Sequence, residues 1–346
     1  MPKPNSTIIR FENITKEFGP IKAVENLNLE IHEGEIIGLV GPNGAGKTTS
    51  IKMLANILRP TRGKILVKDD RGQLQDIATE PKNLLKSGFL IDIPSFYEGL
   101  TAYELLKYFA KLQKYPDGNL EERIDEILKM VELVEWKHQK VKIYSKGMKQ
   151  KLGLAQAIIH DPDIIVLDEP QTGLDPKARI LVREILKDLQ SEAKTIFLSS
   201  HMLYEISEVC DKIAIIDEGK LMEFGSIPEL EKKLRSQEIR CELLAPLELE
   251  HLSTSLKELE EKLSPYLENA EAYTDLGHHI LYDPFERNLK IQYDGKPESQ
   301  NLILETLIKE TDLKIKAFFT PKTTLLEKIY TSMISKKDSI KDIDKY

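Results

Sequence analysis

Gly41-Pro-Asn-Gly-Ala-Gly-Lys-Thr48 is the stretch that decides the fold. It completes the pattern G-x-x-x-x-G-K-[ST] of a phosphate-binding loop. Gly41, Gly44 and Gly46 let the backbone curl until amide N–H groups converge on an anion. Lys47 adds a full positive charge toward the β- and γ-phosphates, and the Thr48 hydroxyl can ligate Mg²⁺. The flanks meet the context the motif needs. Glu35-Ile-Ile-Gly-Leu-Val40 predicts a buried strand entering the loop, and Thr48 to Leu58 predicts a helix leaving it. The anion would then sit at a helix N-terminus. A plain Gly-rich turn between strand and helix is the bland alternative, and it gives no reason for Lys-Thr at its end.

A nucleotide site of this kind also needs a carboxylate on the Mg²⁺ side, at the end of another core strand. Asp163-Ile-Ile-Val-Leu-Asp168 supplies one, and Glu169 follows at once. Asp168 is expected to hold the metal through water, and Glu169 to polarise an attacking water as general base. By itself the stretch could equally be a buried strand ending in solvated acids.

Between and beyond these two motifs lie further markers in a fixed order. Tyr144-Ser-Lys-Gly-Met148 opens a helical run, Lys149 to Ile159, and the acidic strand end follows about twenty residues after that opening. Gly173-Leu174-Asp175 comes next, then Ser199-Ser200-His201 after a strand at Thr195–Leu198. Over roughly residues 5–225 this order resembles the ATP-binding cassette (ABC) ATPases.

The resemblance implies roles residue by residue. Gly41, Asn43, Gly44, Ala45, Gly46, Lys47, Thr48 and Thr49 would bind ATP, and Phe18 in Glu17-Phe18-Gly19 would stack on adenine, where the plain reading is an ordinary core Phe. Ser145 and Gly147 match the signature that caps the γ-phosphate of ATP held by the opposite subunit. Asp175 matches an aspartate at the dimer seam. His201 matches a switch histidine that contacts the γ-phosphate, although a lone His after a strand is ordinarily a surface residue. Glu169 and His201 are thus the catalytic candidates, and Thr48, Asp168 and Asp92 the metal candidates.

Two departures from the family pattern stand out. The usual signature is Leu-Ser-Gly-Gly-Gln; here Lys146 replaces the first Gly and Met148 the Gln. Lys146 either adds charge to the opposite site or faces solvent. Asp92, in Gly88-Phe-Leu-Ile-Asp-Ile-Pro94, falls where the family usually has a glutamine. A carboxylate there could reach Mg²⁺ but cannot donate a hydrogen bond as an amide does. The next residues, Pro94 to Glu104, resemble ATPase subunits of bacterial and archaeal exporters of peptides and antibiotics, whose membrane subunits are separate chains.

Composition bounds the rest. The chain has 346 residues, 41% hydrophobic and 31% charged, ample for one large or two smaller domains. A net charge of −8 argues against a surface built for nucleic-acid phosphates. Cys210 and Cys241 lack metal-ligand spacing and fit a reducing compartment. No apolar run approaches the about 18 residues of a membrane span, and the N-terminus lacks a secretory signal. Any membrane-spanning part is therefore expected on partner permease subunits. The chain itself is expected in the cytoplasm, held to the inner face of the membrane by those partners.

Strand signals fill 7–40 and continue through 62–92. Thr101-Ala-Tyr-Glu104 is a capping box. Leu120 to Glu135 places Leu120, Ile124, Ile127, Leu128, Val131 and Val134 at helical spacing. These helices match the family's helical subdomain, about 95–160, within a nucleotide-binding domain spanning 1–225. Beyond Gly225 no phosphate or acidic-pair motif recurs. The pattern there predicts an α+β accessory domain, 226–346. Its helices fall at 228–234, 253–267, 300–310 and 323–333. Strands fall at 239–244, on both sides of Asp283-Pro284, and at 313–319, ahead of a Lys/Asp-rich tail. His278-His279 has no second ligand pair nearby and reads as strand surface.

The expected architecture is therefore α/β: a phosphate-loop ABC cassette with a mixed, mainly parallel core sheet, antiparallel strands and a helical subdomain, followed by the accessory domain. The expected function is an ATP-binding, Mg²⁺-dependent ATPase subunit that powers export as a homodimer or heterodimer of ATPase subunits. A soluble mechanical ATPase is the alternative; those usually carry two cassettes or long heptad arms, and this chain has one cassette and no sustained heptads. A third reading, a regulatory module without turnover, leaves Glu169 and His201 without purpose.

Overall fold

Three apolar runs, Ile36–Val40, Ile164–Asp168 and Thr195–Ser200, are too continuous to lie half in water. All three are buried along their whole length, as strands covered on both faces must be. The computed structural model describes residues 6–92, 94–233, 238–247, 252–267, 279–309, 311 and 313–320. In chain order it contains β1 Thr7–Phe18, β2 Ile21–His32, β3 Ile36–Val40, α1 Lys47–Leu54, β4 Arg62–Lys68, β5 Leu74–Asp76 and β6 Ser87–Leu90. There follow α2 Ala102–Leu112, α3 Leu120–Met130, α4 Lys146–Ile158, β7 Ile164–Asp168, α5 Pro176–Ser191, β8 Thr195–Ser200, α6 Leu203–Ser207, β9 Lys212–Asp217 and β10 Lys220–Ser226. The remaining elements are α7 Ile227–Lys233, β11 Glu238–Leu243, α8 Leu252–Leu267, β12 Ile280–Asp283, β13 Asn288–Gln292, α9 Pro297–Lys309 and β14 Ile315–Phe319.

The core sheet has the order β10-β9-β3-β8-β7-β6 and is parallel apart from its edge strand β10. A second, antiparallel sheet has the order β2-β1-β4-β5. The two share one core. Phe11 of β1 meets Phe197 of β8 with ring centroids 5.9 Å apart. Ile9, Ile14 and Val24 pack with Ile37, Leu39, Val166 and Ala214, and with Ile51, Met53 and Leu54 of α1. Each such side chain contributes about 1.5–3 kcal/mol on burial, so the helix behind the phosphate loop is anchored by the core of the unit.

Three helices form the part predicted near 95–160. Thr101 caps α2 reciprocally with Glu104: the Glu104 N–H donates to Thr101 Oγ1 and the Thr101 N–H to Glu104 Oε2. Leu120, Ile124, Ile127 and Leu128 form the buried face of α3. That helix ends at Met130, short of the expected Glu135, where Glu132 at φ 54° turns the chain out of helical geometry. Ser145 caps α4 by accepting the Met148 N–H.

The chain divides into two units, Met1–Leu230 and Glu231–Tyr346. The change of pattern at Gly225 falls inside β10, where Gly225 and Ser226 still pair with Ile213 and Lys212 of β9. In the second unit the elements run β11-α8-β12-β13-α9-β14 and the sheet order is β12-β13-β11-β14, all antiparallel. This is the split βαβ arrangement. Ile239, Cys241 and Leu243 of β11 face inward with Leu289 and Ile291 of β13, against Leu259, Leu263 and Leu267 of α8 and Ile303 and Leu307 of α9. Both cysteines are buried free thiols. The helix expected at 323–333 lies outside the described residues.

Candidate active site

Gly46 begins the site. Its φ of 104° is left-handed, and an added Cβ would stand 2.4 Å from the carbonyl oxygen of Ala23 on β2. Only glycine fits there. The chain thereby enters α1 with no side-chain cap and no acidic residue in its first turn. The first amides of a helix have no intrahelical acceptor, so this end presents N–H groups and positive potential to whatever lies before it.

What lies before it is a pocket of about 370 Å³. Asn43, Gly44, Gly46, Lys47, Thr48 and Thr49 line one side, and Glu169, Thr172 and His201 stand across it. Lys47 is buried, and its Nζ donates to the carbonyls of Gly41 at 2.7 Å and Pro42 at 3.1 Å. Nζ also lies 3.4 Å from Glu169 Oε1. Gly41 and Ala45 support the loop from behind: Gly41 through that carbonyl, Ala45 by accepting the Gly219 N–H at 3.0 Å.

The acids sit where β7 ends. Asp168 is 4% exposed, and its Oδ1 accepts the Ser199 hydroxyl at 2.5 Å. The same hydroxyl oxygen accepts the Glu169 N–H at 3.0 Å. Glu169 has φ 49°, an uncommon left-handed conformation for a residue of its kind. Its Oε2 meets His201 Nδ1 at 2.8 Å and accepts the Thr172 hydroxyl at 3.3 Å. The buried Gln150 amide, on α4, donates to the carbonyls of Glu169 and Pro170 at 3.4 and 3.2 Å. Glu169 is therefore held by its backbone on two sides and by its carboxylate on three.

The structure thus brings Asn43, Gly44, Gly46, Lys47, Thr48, Thr49, Glu169 and His201 to one pocket, with Asp168 behind Glu169. The donor set suits a hard divalent cation: a threonine hydroxyl and a buried carboxylate, both oxygen. The other predicted residues lie elsewhere. Phe18 ends β1, is 47% exposed, and carries Lys16 Nζ 5.0 Å from its ring centroid. Ser145, Gly147 and Asp175 line a separate groove of about 500 Å³, shared with Lys146 and Lys177. Lys146 lies over Gly173 in that groove. Asp92 does not line the pocket; its carboxylate is 2.5 Å from Lys52 Nζ.

Sequence reading missed Ser199 as the link between the two acids, and missed Gln150 and Thr172. The serine pair before His201 marked the place of Ser199 without its task. His279 immediately precedes β12, its N–H donating to Glu260 Oε1 at 2.6 Å; His278 lies outside the described residues.

The chain has relatives among known proteins. The family model described as ABC transporter matches residues 24–172. The ABC transporter ATP-binding protein YhcH of Bacillus subtilis is 38% identical over 225 residues, 64% of this chain and 71% of that protein. The bacitracin transport ATP-binding protein BcrA of Bacillus licheniformis is 40% identical over 232 residues, 66% of this chain and 73% of that protein. Among solved structures, a dimeric post-hydrolysis state of an ATP-binding cassette bound to ADP and phosphate superposes with a TM-score of 0.57 at 27% identity, covering 63% of this chain and 98% of that one.

Proposed function

This chain belongs to the ATP-binding proteins of ABC transporters, and from that premise we propose how its residues work and what they serve. The chain is the ATP-binding, ATP-hydrolysing subunit. In the proposed site Lys47 and the amides of 44–49 bind the β- and γ-phosphates, and Phe18 stacks on adenine. Thr48 and Asp168 would hold Mg²⁺. Bound there, the metal would neutralise phosphate charge. Glu169 takes a proton from the attacking water, and His201 contacts the γ-phosphate.

Two subunits pair head to tail, so that Ser145 and Gly147 of one, with Asp175 at the seam, complete the pocket of the other. ATP closes the pair because both subunits touch the same γ-phosphate, and hydrolysis removes that shared contact. The described residues contain no helix long and apolar enough to cross a membrane. Transport runs through partner permease subunits, which hold this chain at the inner face of the membrane. The similarity to a bacitracin transport protein favours export of a peptide or antibiotic. Residues 226–346 form an accessory domain that acts on pairing or coupling.

The observation that carries the reading is the Glu169 carboxylate, held between Lys47 at 3.4 Å and His201 at 2.8 Å across the phosphate loop. Glu169→Gln keeps the shape and loses the basicity. It should bind ATP, stop steady turnover and accumulate as a pair in size-exclusion chromatography with ATP. Unchanged turnover would remove Glu169 from the general-base role.

A further inference from the structure

A polar side chain is buried on the helix that opens at the groove. α4 begins with Ser145 as its cap and carries Gln150 five residues on, about 7 Å along the axis. Gln150 is 7% exposed, and Leu152, Leu154, Ala155 and Ile158 of the same helix are buried with it. An amide so placed is costly unless it is hydrogen-bonded. Its Nε2 finds acceptors just past the end of β7, the Pro170 carbonyl at 3.2 Å and the Glu169 carbonyl at 3.4 Å. Gln150 lines neither the phosphate pocket nor the groove.

The acceptors belong to a segment that has to be held. Glu169 leaves β7 at φ 49°, a left-handed backbone that persists only where the surroundings impose it. Its N–H donates to Ser199, and its carbonyl accepts the Thr172 N–H at 3.0 Å as well as the Gln150 amide. Five residues further on, the same segment returns to α4. A Cβ on Gly147 would stand 3.5 Å from Leu174 Cδ2, and Lys146 lies over Gly173. α4 therefore meets residues 169–175 at two places: at Glu169 through Gln150, and at the groove through its first turn. By the reading proposed above these places serve different nucleotides. Ser145 and Gly147 serve the one held by the partner, and Glu169 serves the subunit's own.

We propose that Gln150 is a positioning residue that links a subunit's groove to its own general base: a phosphate seated on Ser145 and Gly147 fixes α4, and the Gln150 amide carries that placement to the Glu169–Pro170 backbone. The inference rests on the paired-subunit reading. A helix moves as a rigid element, so whatever fixes its first turn also fixes a side chain about one and a half turns on. Each Glu169 is then set in place when its own subunit grips the partner's nucleotide. Loss of the amide misplaces Glu169 and leaves the phosphate loop as it was, so kcat falls and KM for ATP does not move.

Mixed pairs of two differently tagged full chains provide the test. In the reference pair one subunit carries Glu169→Gln, which leaves a single working base. Gln150→Met keeps the length of the side chain and removes the donor. It is placed either on the subunit with the working Glu169 or on the one with Glu169→Gln. The readout is phosphate released in the first turnover after rapid mixing with ATP. With Gln150→Met beside the working Glu169, release should slow about tenfold, short of the about hundredfold that a full ångström of misplacement can cost. With Gln150→Met beside Glu169→Gln, release should match the reference pair. The ATP concentration at half-maximal release should be the same in all three pairs. Gln150→Leu repeats the series, so that poor folding of one variant does not decide the outcome.

Equal slowing in both arrangements would make Gln150 a packing residue of α4 and overturn the inference. Slowing only beside Glu169→Gln would overturn it as well, because Gln150 would then act on the partner's nucleotide through the groove. So would release at the reference rate in both. Failure of the underlying reading has a different mark: no mixed pair forms with ATP, or the reference pair itself releases no phosphate in its first turnover.

Discussion

Ser199→Ala isolates the one hydroxyl that holds the two acids together. Ser199 is fully buried, its Oγ donating to Asp168 Oδ1 at 2.5 Å and accepting the Glu169 N–H at 3.0 Å. Alanine removes both bonds and nothing else of size. A hydrogen bond to a charged group is worth about 1.5–3 kcal/mol, and a buried N–H left unpaired costs about 1–3 kcal/mol. Water admitted near the pocket would recover part of this, so a stability loss of about 2 kcal/mol is expected by urea denaturation. The effect on turnover has a separate origin. Freed from Ser199, Glu169 loses one of the contacts that fix its left-handed backbone, and Asp168 loses its fixed orientation. A drop of about tenfold in kcat corresponds to roughly 1.4 kcal/mol of lost positioning. KM for ATP should change little, because the phosphate loop is untouched, while the Mg²⁺ concentration at half-maximal rate should rise. Steady-state phosphate release across ATP and Mg²⁺ titrations reads all three quantities. If stability falls as expected and kcat stays at the parent value, Ser199 is only a packing residue and the argument for a held Glu169 fails.

Two further outcomes follow from the same geometry. Because Ser145 and Gly147 lie in a different groove from Lys47 and Glu169, specific ATPase activity of the isolated subunit should climb with protein concentration; a flat profile down to demonstrably monomeric protein would refute the shared site. His160 supplies a pH test of stability. Burial pushes its pKa below the ordinary 6.5, against the pull of the Ser87 carbonyl and of Asp161, and with Arg123 and Lys194 adding to the depression. A depressed value means that the unfolded chain takes up the proton first, so His160 adds to the loss of stability as pH falls below about 6.5. Denaturation midpoints between pH 8 and 5 should fall less steeply in His160→Gln than in the parent; equal slopes would contradict this.

How much was legible depended on sequence distance. The phosphate loop could be read because its parts are consecutive: three glycines, a lysine and a threonine within eight positions leave little to tertiary structure. Asp168 and Glu169 were readable for the same reason, as the end of a buried run. The capping box at Thr101 and Glu104 is local as well. Ser199 was different, since its task exists only once β7 and β8 lie side by side with Asp168 opposite Ser199. Gln150 looked like any polar residue on a helix until α4 brought its amide to the carbonyls of Glu169 and Pro170. For Asp92 the order of motifs gave a place but not an ion-pair partner. Its place in the order suggested a metal contact, while its partner, Lys52, is forty positions away on another element. In the second unit the strands and helices were readable in kind, but their periodicity does not say which strands pair. Only the order β12-β13-β11-β14 reveals the split βαβ arrangement.

The pairing of Lys47 with Glu169 bears on how the site would meet a phosphate. Lys47 is buried, and a buried charge is expensive unless it is paired and hydrogen-bonded. Here two carbonyls and the Glu169 carboxylate meet that demand. An arriving γ-phosphate competes for the same ammonium. As it takes Lys47, Glu169 gives up one counter-charge and keeps His201 and Thr172. The same exchange carries a cost: part of the phosphate's attraction to Lys47 is spent on separating an existing ion pair. In the proposed site ATP therefore gains less from this lysine than an unpaired one would offer, and Ser145 and Gly147 of a second subunit would supply the further contacts. Under this reading the Lys47–Glu169 pair weakens binding to the single subunit and leaves closure to the dimer, which is the step that a transporter has to couple to movement of its cargo.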